Sequence, residues 1–308
     1  MHHRLSLPIL LIIGSLFLSI TIGSVAYEYN TSKGVSFFEP IPKKTENITE
    51  ITPPKCIQNP KITFFMYHYI RNNDTRDTPT TTGLSVPPAL FDTQMAEVER
   101  LKETGKITLM NGDKFLDALD ENCFPGKNIW IFTADDGWVD TNDFLVPIAT
   151  KYQVPFFLGI ITSRFGVAGF VSEQNVVDFS KNPLMTISSH SVTHSEHSLL
   201  TKEQEHYEMC ESKRALEHLT NTKIRTYIYP SGKMNPLTSE ATAIECGYSL
   251  AWTTHFGIEL VPGSTNFYNI NRTRVSHDTP PSFFRELAEK ELRENKNQSG
   301  STASGNSL

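Results

Sequence analysis

Two acids stand side by side in "FTADDGWVD" (residues 132–140), at the end of a β-rich run, Asn128–Thr133, that reads as a buried strand. Burying adjacent carboxylates is costly unless something positive stands beside them. Further along, "SSHSVTHSEHS" supplies His190, His194 and His197. Two histidines separated by three residues can face one metal ion if their segment takes a helical turn, where positions i and i+4 are neighbours. A His/His/carboxylate set with one open position is a common arrangement in catalytic divalent-metal sites. Such a cation makes buried carboxylates tolerable, and the second acid is then left for proton transfer. Neighbouring side chains on an extended segment point apart, so one Asp can ligate while the other faces a bound water. Taken singly, the acids read as a solvated turn and the histidines as a polar loop; their joint placement decides the matter.

That placement comes from the elements around them. β-type runs occur at Ile62–Tyr67, Lys106–Leu109, Asn128–Thr133, Pro155–Ile160, Leu184–Ser188, Arg225–Tyr229, Tyr248–Thr253 and Tyr268–Arg274. Helical patterns alternate with them: Ala89–Thr104, Lys114–Leu119, Phe144–Lys151, Thr201–Leu219, Asn235–Cys246 and Phe283–Glu294. The helix at Thr201 opens with a Thr201-x-x-Gln204 capping box. Strands alternating with helices predict an α/β fold with a parallel sheet, closed or nearly closed as a (β/α) barrel. In such a barrel the site lies at the C-terminal ends of the strands. Asp135 and Asp136 follow one strand, His190 and His194 another, and Tyr229-Pro230-Ser231-Gly232 a third, so three polar segments meet on one rim.

The chain has 308 residues and a formal charge of −6. No Lys/Arg cluster supplies a basic patch, which argues against a nucleic-acid partner. His2-His3-Arg4 precedes an uncharged run, Leu5–Ala26, near the length that spans a bilayer, with small residues Ser24-Val25-Ala26 at its end. Residues 1–26 are therefore expected to be a cleaved signal peptide or a membrane anchor, and either exports the chain to the periplasm, cell surface or medium. Residues 27–60 read as a polar, Pro-rich tether, 61–295 as the folded domain, and 296–308 as a disordered tail. The four cysteines show no CxxC spacing, so disulfides are compatible with export, and their pairing stays open. A monomer is expected.

The same segments resemble the polysaccharide deacetylases with a NodB-homology domain, carbohydrate esterase family 4. "FTADDGW" is similar to the first motif, usually Thr-Phe-Asp-Asp-Gly; "HSVTH" matches His-Ser/Thr-x-x-His; "YIYPSG" is similar to a third that ends Pro-Tyr-Gly. "FFMYHYIR", followed by "LSVPPALFDTQMAEVERLKETG", resembles the subgroup that deacetylates poly-β-1,6-N-acetylglucosamine. The resemblance covers about Lys61 to Ala288 and implies a distorted (β/α) barrel. It further implies that Asp135 is the general base and that Asp136, His190 and His194 hold a divalent ion. Zinc suits that ligand set, with cobalt, nickel and manganese compatible. Tyr229, Pro230, Ser231 and Trp138 are assigned to the substrate, and His277 or His68 to the general acid, with neither preferred. Three departures stand out. Ala134 replaces a Phe, Ser231 replaces the Tyr whose backbone N–H helps hold the oxyanion, and Ile228 stands where many members have an Arg that orients the base. The implied activity is metal-dependent removal of acetyl groups from an N-acetylhexosamine polymer. Peptidoglycan, chitin-type oligomers or acetylxylan are alternative substrates, and a catalytically silent carbohydrate-binding domain is the alternative of another class.

Overall fold

The computed structural model describes residues 56–257 and 266–303, with side chains up to residue 295. The apolar run 5–26, the tether as far as residue 55, and residues 304–308 lie outside the described residues.

Eight strands form one parallel sheet: β1 (Lys61–Tyr67), β2 (Thr108–Leu109), β3 (Asn128–Ala134), β4 (Phe156–Ile160), β5 (Met185–Ser189), β6 (Thr226–Ile228), β7 (Leu250–Trp252) and β8 (Thr273–Arg274). Their order is β7-β6-β5-β4-β3-β1-β8, with β2 alongside the start of β3. "KITFFMY" and "NIWIFTA" are buried at every position. Near-continuous apolar runs are what a parallel strand covered on both faces requires. Within them the two-residue period still sorts the side chains. Phe65, Tyr67, Trp130 and Phe132 face the helical layer, and Ile62, Phe64, Ile129 and Ile131 join Phe157, Ile228 and Trp252 inside the curl of the sheet. The segment from Phe267 to Arg274 hydrogen-bonds to β7 at its start and pairs with β1 at its end. The sheet therefore curls round into a distorted (β/α) barrel.

The covering helices are α1 (Pro79–Leu84), α2 (Pro88–Glu103), α3 (Gly112–Glu121), α4 (Val146–Lys151), α5 (Glu173–Lys181), α6 (Lys202–His206), α7 (Ser212–Thr220), α8 (Ser239–Glu245) and α9 (Pro281–Ala303). The stripe Phe91, Met95, Val98 and Leu101 is the buried face of α2. In α9, Phe284 packs its ring at 5.3 Å from Phe65 and 6.0 Å from Trp130, and truncating so buried a Phe costs about 3–5 kcal/mol. The Thr201/Gln204 capping box is present. From there α6 runs through a π-type turn, Tyr207–Glu211, straight into α7. Three features differ from the sequence expectation. α1 has no counterpart in the predicted helices. α5 has no counterpart in the predicted helices, because its capping box uses Asn175 rather than Glu or Gln at the third position. α9 continues to Ala303, through residues that composition assigned to the tail.

All four cysteines are paired, Cys56 with Cys123 and Cys210 with Cys246, which fits an extracellular protein. Among the described residues no helix is long and apolar enough to cross a membrane.

Candidate active site

The register of the sheet gathers the site. β1 pairs with β3 from Lys61↔Asn128 to Tyr67↔Ala134, so both strands end together and Asp135 N–H donates to the Tyr67 carbonyl at 3.0 Å. His68 thereby arrives beside Asp135. On the other flank, β4 and β5 end in register at Ile160↔Ser189, and His190 N–H donates to the Ile160 carbonyl at 3.0 Å.

Asp135 is 2% exposed, and its positive partner is Arg272, 1% exposed. Arg272 Nη1 donates to Asp135 Oδ1 at 2.7 Å and Nη2 to Oδ2 at 2.8 Å. The guanidinium is itself fixed by Thr133 Oγ1 and the Thr253 carbonyl, each at 2.8 Å. This fork satisfies both charges, and removing one partner of such a buried pair costs about 3–5 kcal/mol. Burial pushes the Asp135 carboxyl up, but the Arg272 charge and hydrogen bonds, helped by His68 and His190, outweigh it and hold it below its ordinary value. Asp135 is therefore ionised at rest. Ile228 stands where the resemblance implies an arginine; here the guanidinium reaches Asp135 from Arg272, just before β8. Sequence reasoning missed Arg272. Its only local signal is an arginine inside a β-type run ("INRTRV"), and its partner is 137 positions away.

Asp136 turns the chain out of β3, at φ 75°, with Gly137 following at φ 72°. Asp tolerates the left-handed region better than most residues, and Gly adopts it freely. The turn sends Asp136 away from Asp135. Its Oδ1 lies 3.1 Å from His190 Nε2 and 3.3 Å from His194 Nε2, while Oδ2 accepts the Trp138 indole N–H at 2.9 Å. His190 Nδ1 donates to the Ile228 carbonyl at 2.8 Å, which frees Nε2 as a lone-pair donor toward a metal. Burial alone would raise the Asp136 carboxyl, yet hydrogen bonds to His190 and His194 hold it well below the carboxylate range. Burial alone would lower His190, and its hydrogen bond to Asp136 reverses this and raises it. The three ligand atoms lie within 4.8 Å of one another. Two imidazole nitrogens and one carboxylate oxygen, with His194 reaching the surface at 32% side-chain exposure, fit a divalent ion with an open side. A second group, His206, Cys210 and Cys246, also gathers ligand atoms, but its sulfurs are joined to each other.

The two histidines do not meet through a helical turn. The segment from His190 to His194 is a loop in which Ser191 and His194 sit at φ 70° and 68°, and His194 N–H donates to Ser191 Oγ at 2.8 Å. A hydroxyl between the histidines is what lets this loop close.

The candidates for the acid separate clearly. His68 Nε2 lies 3.8 Å from Asp135 Oδ2, and its buried Nδ1 has no hydrogen-bond partner among the described residues. Burial lowers its pKa, partly offset by Asp135 and Asp136. His277 is exposed on the turn after β8, and no hydrogen bond or ion pair among the described residues links it to Asp135 or the Asp136 cluster.

The substrate assignments fare unevenly. Trp138 is sandwiched between Tyr69 at 4.5 Å and Phe170 at 4.2 Å, both nearly parallel to it. With both faces covered and its N–H on Asp136, it is part of the wall rather than a sugar platform. Tyr229 and Pro230 are buried and offer no side-chain surface to a glycan. Ser231 alone is exposed, at φ 55°. Gly232 after it is obligatory, since a Cβ there would lie 2.2 Å from the Thr254 backbone nitrogen. His197 is fully buried with both ring nitrogens engaged, Nδ1 3.2 Å from Glu205 and Nε2 2.8 Å from the Tyr227 hydroxyl.

Known proteins are similar to this chain in sequence and fold. The polysaccharide deacetylase family profile matches residues 123–251. YxkH of Bacillus subtilis (strain 168), provisionally named a polysaccharide deacetylase, is 26% identical over 224 residues, which is 73% of this chain and 75% of that protein. The structure of Streptococcus pyogenes deacetylase PplD in complex with acetate is similar with a TM-score of 0.67 and 26% identity, covering 75% of this chain and 99% of that one. IcaB from Ammonifex degensii shares the fold, with a TM-score of 0.63 at 18% identity over 75% of this chain and 98% of its own. With the motifs, the curled sheet and these matches, the chain carries a polysaccharide deacetylase domain of the NodB-homology, carbohydrate esterase family 4 type, a hydrolase fold that acts on amide bonds.

Proposed function

We propose that the protein is an exported, metal-dependent N-deacetylase of N-acetylhexosamine units in a polysaccharide, with a poly-β-1,6-N-acetylglucosamine-like polymer as the favoured substrate. The observation that carries this reading is the adjacency of an arginine-held anion, Asp135, to the Asp136/His190/His194 cluster, with His68 3.8 Å from the same anion. A divalent ion held by Asp136, His190 and His194 would supply Lewis acidity toward the acetamide oxygen and lower the pKa of water. Asp135 takes the proton from the attacking water as its oxygen adds to the acetamide carbon. Arg272 fixes the plane of that carboxylate and keeps it charged beforehand. A protonated His68, drawn to Asp135, gives its proton to the leaving nitrogen while the C–N bond breaks, releasing acetate and a free amine. Acetate is also the ligand named for the Streptococcus pyogenes relative. The paired cysteines support export, and the segment 1–26 would deliver or anchor the chain.

Acetate release from a panel of glycans tests the substrate class. We expect the fastest release from β-1,6-linked N-acetylglucosamine oligomers. Faster release from chitin-type oligomers, peptidoglycan or acetylxylan would reassign the substrate, and binding without release from any of them would make this a silent carbohydrate-binding domain.

A further inference from the structure

The loop that carries both metal-ligand candidates is held by a residue outside the cluster. Val192 and Thr193 N–H donate to one oxygen of Glu208 at 2.9 and 2.8 Å, and the Thr193 hydroxyl donates to the other at 2.6 Å. Glu208 is 5% exposed, and no salt bridge of Glu208 occurs among the described residues. Its charge is met by these loop dipoles. Two observations make this more than a local hydrogen bond. His190 is independently anchored through its N–H to Ile160 and its ring to the Ile228 carbonyl, whereas the backbone of His194 lies beyond the clamped peptides and its N–H donates to Ser191 Oγ within the same loop. The loop also contains two non-glycine residues at positive φ, a conformation that persists only when its surroundings enforce it. In addition, Glu208 comes from the π-type turn Tyr207–Glu211. Such single turns inside α-helices are frequent at functional sites, and the Cys210–Cys246 disulfide ties the same turn to the end of α8.

We propose that Glu208 is a positioning residue for the divalent ion: it locks the 192–193 peptides so that His194 Nε2 meets Asp136 Oδ1 and His190 Nε2 before any ion arrives. The proposal rests on the metal-site reading above. Partners that orient metal ligands from outside typically change metal affinity by about 10–100-fold.

The test uses the full chain, stripped of metal and titrated with Zn2+ against a competing chelator, together with the visible absorption spectrum of the Co2+ form. Glu208→Ala should weaken zinc by about 10–100-fold and change the cobalt spectrum, while the far-ultraviolet circular dichroism stays that of the parent. Glu208→Gln, which keeps one acceptor oxygen for both N–H groups, should weaken it less. Should the Ala variant not fold, Glu208→Gln and Thr193→Val carry the test, and a loss of about threefold or more in either supports the clamp. Zinc affinity within twofold of the parent in the folded variants, with only thermal stability lowered, overturns the clamp alone. A parent chain that binds no ion overturns the metal reading and the clamp with it.

Discussion

Two clusters in this barrel are built from the same residue types and behave differently. Asp136 sits 3.1 Å from His190 and 3.3 Å from His194; Glu205 sits 3.2 Å from His197. In the second cluster every polar atom is consumed. His197 uses its other nitrogen on Tyr227, Glu205 also accepts from the Thr238 and Ser239 hydroxyls, and both side chains are fully buried. In the first, three lone-pair atoms converge on each other with no hydroxyl between them, and His194 opens the group to solvent. A histidine–carboxylate pair is thus structural when its hydrogen bonds close on themselves and a ligand site when they point into shared space. Residue type alone does not separate the two.

Substitutions can break this contrast. The largest effects are expected at the open cluster and its neighbour. Asp135→Asn should lower kcat by about 10²–10⁴ or more while metal content stays at the parent level. Asp136→Asn and His190→Ala should lose the metal itself, and elemental analysis separates the outcomes. Equal metal content and equal activity in Asp135→Asn and Asp136→Asn would erase the distinction between base and ligand.

Next in size is His68→Ala, which should leave metal bound and remove most of the rate. His68 acts in its protonated form, so the rate falls as pH rises through its pKa. Burial lowers that pKa, which places the alkaline limb on the acidic side of an ordinary imidazole. The pH–rate profile of His68→Ala should lack this limb. His277→Ala should keep the parent profile, and the reverse pattern would move the acid to the turn after β8.

The closed cluster should answer in stability instead. His197→Ala leaves Glu205 and Tyr227 short of a partner and opens a cavity, at a cost of about 2–4 kcal/mol. Metal stoichiometry and the pH–rate profile should not change. A variant of normal stability with altered metal content would show that the two clusters are not separate.

The smallest effect sharpens the contrast from between the two cases. Asp140 is buried like Glu205, but one of its oxygens accepts from the Ile70 N–H at 3.1 Å and the other has no hydrogen-bond partner among the described residues. Burial pushes its pKa up to about 7. Between its ordinary value and pH 7 the folded form holds a proton that the unfolded chain has already lost. Stability therefore falls as pH rises through that window and levels off above it, by at most a few kcal/mol. Asp140→Asn should flatten the dependence of Tm on pH between about 4 and 7. A Tm that still falls by the same amount would assign the decline to another group.

The contrast also marks how far the sequence could be read. Asp135, Asp136, His190 and His194 were legible because each motif is a short continuous stretch at the end of a strand, and strand alternation alone puts such stretches on one rim. The curl of the sheet followed from the same alternation. What escaped was whatever depends on distant register. Arg272 reaches Asp135 because β8 pairs with β1, and Glu208, on the π-type turn, reaches the histidine loop from 15 and 16 positions away. Trp138 has the right chemistry for a sugar platform, and only the stack with Tyr69 and Phe170 shows its faces covered. His197 shares a segment with His190 and His194, and only its contacts with Glu205 and Tyr227 set it apart.

The most direct measurement is acetate release from an N-acetylglucosamine polymer by the full chain, before chelation, after it, and after Zn2+, Co2+, Ni2+ or Mn2+ is returned. Chelation should abolish release and at least one of these ions should restore it, with one ion bound per chain and none retained in His190→Ala. Undiminished release from protein shown to be metal-free would contradict the assignment of Asp136, His190 and His194 as the centre of the site.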